Sequence, residues 1–171
     1  MFWLLLQLAP APPVPPPPAD QLAAAVALWN EHPLTETEKQ QGLDQAVSRI
    51  AGYALYDAGI KATDRRWLAK FDLLRARLMT RVPVDMSRVA QQVTACLAQG
   101  IAYQFTVAEI EELRRYAATS GGEKFWRIAN WNAERIGNCY GQTLSLSLSV
   151  EDYRAAGLRP PKVNPNEHIV S

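Results

Sequence analysis

Apolar residues recur at three- and four-residue spacing through most of the chain, the period of a helix with one buried face. Asp20 caps a first helix over Gln21–Glu31, and Pro33 ends it. Thr35 and Glu38 make a capping box. It opens a second helix with Leu43, Val47, Ile50 and Ala54 on its apolar face and Gly42 as a point of break or kink. Thr63 or Asp64 caps a third helix that runs to about Arg81 and stops at Pro83. Asp85 or Ser87 starts a fourth, with Val89, Val93, Cys96, Leu97 and Ile101 grouped on one side. A second capping box, Thr106 with Glu109, opens a fifth helix from Val107 to about Thr119. After Gly121-Gly122 a sixth runs from Glu123 to about Tyr140, and Ser149 caps a last short turn ending at Gly157. Between Thr143 and Val150 leucines alternate with serines, which allows one short strand, and one strand does not make a sheet. The reading is an all-α protein: an antiparallel bundle of about six helices joined by short connections.

The ends depart from this pattern. Phe2 to Leu6 is an apolar run followed by Ala9-Pro10-Ala11, the order of parts in a secretory leader, and the run is too short to span a bilayer. Seven of the twelve prolines then fall between Pro10 and Pro18, a composition that favours an extended polyproline II spacer. At the other end, Gly157 to Ser171 carries Pro160, Pro161 and Pro165 and reads as an ordered exit that becomes a loose tail. The organisation expected is a leader and Pro-rich linker over 1–19, a helical domain over 20–157 and a C-terminal tail over 158–171.

A net charge of only +1 gives no global field to draw in nucleic acid, so any electrostatic role has to be local. The most suggestive local pattern is on the third helix, where Arg66, Lys70, Arg77 and Arg81 form a stripe beside Trp67, Phe71, Leu74 and Leu78. Such a helix could meet an anionic membrane surface. The simpler expectation is that the basic stems run along the edge of the core. Glu109, Glu111 and Glu112 read as a solvated face rather than a paired-carboxylate site, because none points into the apolar side of its helix. Trp126, Asn130 and Trp131 put aromatic and amide groups on the sixth helix, the composition of a carbohydrate or peptide groove. There Phe125, Ala129, Ile136 and Tyr140 are the expected core face, and Trp131 points away from it. His32 and His168 lie near loop or tail signals, and neither they nor the two cysteines have metal-ligand spacing. Cys96 and Cys139 flank the core faces of the fourth and sixth helices and fit either a bridge or two buried thiols. No phosphate loop, nucleophile elbow or catalytic triad is written in the chain, so catalytic, cofactor and metal residues are none.

The segment Phe105–Phe125 resembles a bacterial domain-of-unknown-function family, the one numbered twenty-fifty-nine. Phe105-Thr106 and Glu109-Ile110 match the family's opening, Tyr116 takes its aromatic place, and Thr119 to Lys124 stands where the family has a Ser-Pro turn followed by a glycine and a lysine. The resemblance implies a helical protein exported to the periplasm and carries over no catalytic residue. The function expected is therefore non-catalytic, in the periplasm or secreted, through contact with a protein or other envelope component. An enzyme with a groove near Trp131, or a membrane-surface binder using the third helix, are the alternatives.

Overall fold

The computed structural model describes residues 15–130 and 132–161. They form α1 (Ala19–Glu31), α2 (Glu36–Asp57), α3 (Trp67–Met79), α4 (Ser87–Ala102), α5 (Val107–Ala117), α6 (Ser120–Asn130), α7 (Ala133–Leu144) and α8 (Val150–Ala155). The fold is an all-α bundle, with no strand among the described residues. The expected leader, most of the expected linker and the end of the expected tail lie outside those residues.

Neighbouring helices follow the order α8, α3, α2, α7, α4, α1, α5, α6, with α2 packed most extensively on α7. Cross-contacts fix the directions. Gly42 lies against Ile136 and Tyr140, and Gln45 against Gly137. Arg49 pairs with Glu134 at 3.7 Å, so α2 and α7 run antiparallel. On the other side of α7, Cys96 meets Cys139 while Gly100 lies under the Arg135 side chain, so α4 and α7 are also antiparallel. Val47, Leu55, Leu74, Leu78, Val93, Leu97, Ile110 and Ile136 are fully buried along this arrangement.

The local signals act where they were expected for most helices. Both capping boxes form: the Thr35 and Thr106 hydroxyls each accept from the amide three residues on, and Glu38 and Glu109 return the bond. Ser149 does the same with Asp152 at α8. Asp64 and Asp85 accept amides two residues ahead, from Arg66 at 2.8 Å and Ser87 at 2.9 Å, just before α3 and α4. Asp20 is not the cap of α1: the helix starts at Ala19 behind Pro18, leaving Asp20 in the first turn.

Three expectations are corrected. The sixth helix is two helices, and with the expected last short turn forming α8 the described residues hold eight rather than about six. Asn132 caps the second of them by accepting from the Arg135 amide at 2.9 Å, which turns a poor helix former into a start signal. Gly42 does not break α2. It lets α7 come close, since a Cβ there would stand 2.3 Å from the Ile136 side chain. The Leu-Ser alternation forms no strand: Leu144 ends α7, Ser145 takes a left-handed conformation, and Leu146 and Leu148 pack on the core from an irregular segment. The exit from the bundle is ordered, as expected. Gly157, at φ +60°, lets the Leu158 amide reach back to the Tyr153 carbonyl at 2.8 Å, and Leu158 is buried.

Candidate interaction surface on α5 and α6

The turn from α5 into α6 sets the geometry. The Thr119 hydroxyl donates to the Tyr116 carbonyl at 2.8 Å and accepts from the Gly122 amide at 3.0 Å. A Cβ on Gly122 would stand 1.8 Å from the same carbonyl oxygen, so only glycine lets the two helices fold back this tightly. That hairpin brings Phe125 to Tyr116, edge to face with ring centres 6.0 Å apart. Phe125 remains 57 % exposed and Tyr116 50 %, and Ile128, one turn further along α6, is 78 % exposed. Beside them Phe105, Leu113 and Tyr116 line a groove of about 320 Å³ whose rim carries Glu109 and Glu112.

Phe125 was expected in the core and Trp126 at a binding rim; their places are exchanged. Trp126 is buried, edge to face on Trp29 with centroids 5.2 Å apart, and His32 lies 5.9 Å from it. The space beside this cluster is only about 10 Å³, too small for an organic ligand. Asn130 closes α6, and Trp131 lies outside the described residues. His168 lies outside them as well. The phase error follows from the break: a wheel drawn through one continuous helix assigns α6 the face that belongs to α7. Ile136 and Tyr140, on α7, are buried as the pattern predicts.

The basic stripe of α3 is taken up by the C-terminal segment. Lys70 donates to the carbonyls of Ala156 and Gly157, and Arg81 donates to the Ser147 carbonyl and pairs with Asp152. Arg77 lies 3.9 Å from Asp152, and Arg66 pairs with Asp64 at 3.2 Å. Burial pushes the Asp152 carboxyl up. The Ser149 amide, the Arg81 guanidinium and the Ser149 hydroxyl outweigh it and hold the group below the usual carboxylate range.

Two of the three glutamates of α5, Glu109 and Glu111, go to structure. Glu109 is lowered by the Thr106 amide and hydroxyl, and Glu111 pairs with Arg114 at 3.4 Å. Arg114 in turn grips Glu31 on α1, which lowers that carboxyl too. Cys96 and Cys139 are disulfide-bonded, with Cα atoms 5.7 Å apart, tying α4 to α7. Among the described residues no group of three or more His, Cys, Asp or Glu side chains is arranged to hold a metal ion, and no helix is long and apolar enough to cross a membrane. No protein-family model, curated protein or solved structure matches the chain.

Proposed function

We propose that this chain is an exported, non-catalytic helical domain that holds an envelope protein against α5 and α6. The observation that carries the reading is the exposed Phe125–Tyr116 pair with Ile128 beside it. The fold spends a glycine-only turn to form this apolar face and leaves it uncovered among the described residues. Glu109 and Glu112 on the rim select the occupant: a protein segment with apolar anchors between Lys or Arg residues, whose charge complements the carboxylates. Export is supported by the apolar run at Phe2–Leu6, by the resemblance of Phe105–Phe125, and by the disulfide, a bond that persists in oxidising compartments. The non-catalytic part is supported by the carboxyl groups. Those displaced from their ordinary range, Glu31, Asp64, Asp85, Glu109 and Asp152, are all lowered, which suits ion pairing and capping rather than proton donation at neutral pH.

The test is site-specific photo-crosslinking in cells, with the reactive side chain at Phe125 and, as a control, at the exposed Tyr56 on α2. The expected result is a crosslink from position 125 into a basic, apolar segment of one envelope protein, in the osmotic-shock fraction. Crosslinks from position 56 but none from 125, or a chain retained wholly in the cytoplasm, would overturn the reading.

A further inference from the structure

A separate cleft of about 350 Å³ opens between the first turns of α2 and α4 and the side of α7, at the lower end of the range for small-molecule pockets. Leu43, Met86 and Ala90 give it an apolar floor. At its mouth stand Glu36 and Lys39, two charges of opposite sign one helical turn apart. In the free protein they pair with each other at 2.6 Å. Both are solvent-facing, with Glu36 89 % and Lys39 35 % exposed, so a ligand that separates them gives up little. The backbone beneath them is fixed by the Thr35–Glu38 capping box.

Tyr140 lines the same cleft from α7. The residue as a whole is only 3 % exposed, but its hydroxyl opens to solvent in the cleft, where no hydrogen bond from the described residues holds it. A hydroxyl at a cleft wall that is not committed to a protein acceptor is available to a polar ligand atom. Burial first, and the Glu36 carboxylate second, push this hydroxyl above its ordinary range, so it keeps its proton at neutral pH and acts as a donor.

Two donors, Tyr140 and Lys39, thus face one acceptor, Glu36, across an apolar floor. We propose that the cleft binds a free amino acid with an apolar side chain. Its carboxylate lies on Lys39 and the Tyr140 hydroxyl, its ammonium on Glu36, and its side chain on Leu43, Met86 and Ala90. The site shares no residue with the α5–α6 face and stands whether or not that face binds protein.

The experiment is an amide-resolved NMR titration of the intact, oxidised chain with L-methionine, methionine amide and N-acetylmethionine. Methionine should shift resonances around Leu43, Ala90 and Tyr140 and saturate at millimolar concentration or below. The amide, which lacks the carboxylate, and the N-acetyl compound, which lacks the ammonium, should each bind about tenfold more weakly or worse. Lys39→Gln should cause a loss of similar size, and Tyr140→Phe roughly five- to tenfold. Lys39 is at the surface, so its variant should keep the wild-type melting temperature and carries the test even if Tyr140→Phe fails to fold. Absence of saturable shifts, equal binding of methionine and its amide, or a shift map away from this cleft would overturn the proposal.

Discussion

Asp152 joins the local code of one helix to the global packing of the molecule. Its carboxylate accepts from the Ser149 amide at 2.7 Å as the returning half of a capping box, and it also pairs with Arg81. It is 1 % exposed, whereas Arg77 and Arg81 are each more than a third exposed, so the pair is screened from one side only. Asp152→Asn keeps the shape and removes the charge. It should lower stability by about 1–3 kcal/mol, read from denaturant unfolding. Ser149→Ala, which loses the cap alone, should cost about 1 kcal/mol.

The pH dependence has a definite sign. A carboxyl held below its unfolded value of about 3.9 contributes its full stability above that pH and loses it as the pH falls through the folded value. The melting temperature should therefore drop on acidification below about pH 4, and Asp152→Asn should flatten part of that drop. A variant curve parallel to wild type would contradict it. The Ser149 cap was legible in the sequence, being three residues from its partner. The link to Arg81 was not, because it spans a separation of 71 residues and only packing brings the groups together.

At the scale of elements, the two glycines of α2 give opposite predictions. Gly52 has nothing within 4 Å of where a Cβ would stand, so Gly52→Ala should stabilise by about 0.5–1 kcal/mol through helix propensity alone. Gly42→Ala gains the same propensity and loses more, since its methyl would collide with Ile136; a net cost of about 1–2 kcal/mol is expected from overpacking. Chemical denaturation of the two variants side by side checks this, and equal shifts would contradict the close approach of α2 and α7. The Cys96–Cys139 bond is the other tie on α7, and it closes a long loop with a sequence separation of 43. Reduction, or Cys96→Ser, should lower stability by about 2–4 kcal/mol. A melting curve unchanged by reductant would contradict a bridge that holds the fold together.

Helix identity was legible wherever a cap and an apolar period agreed, as at Thr35 and Thr106. It failed around Asn132, where the cap residue also looks like an ordinary interior misfit and the apolar period passes through without a proline. That single missed break exchanged Phe125 with Trp126 and hid the exposed face of Phe125 and Ile128.

For the whole molecule, the account is a bundle whose disulfide and C-terminal clamp tie helices together while α5 and α6 keep an apolar face exposed among the described residues. Phe125→Asp together with Ile128→Asp should change stability by no more than about 0.5 kcal/mol per site, because both side chains are largely in water already. The same change should abolish partner binding. The basic stripe on α3 shows the opposite case: its residues were legible and a structural role was the simpler expectation, but the acceptors of Lys70 and Arg81 were not legible, since they come from α8 and the segments on either side of it. The measurement that bears most directly on the central claim is selection of peptides from an unbiased displayed library on the intact, oxidised protein, with the Phe125→Asp/Ile128→Asp variant as counter-target. The account predicts enriched sequences with two or more apolar anchors among Lys or Arg residues, which bind the wild type and fail on the variant. Sequences without basic residues, or sequences that bind both proteins alike, would contradict it.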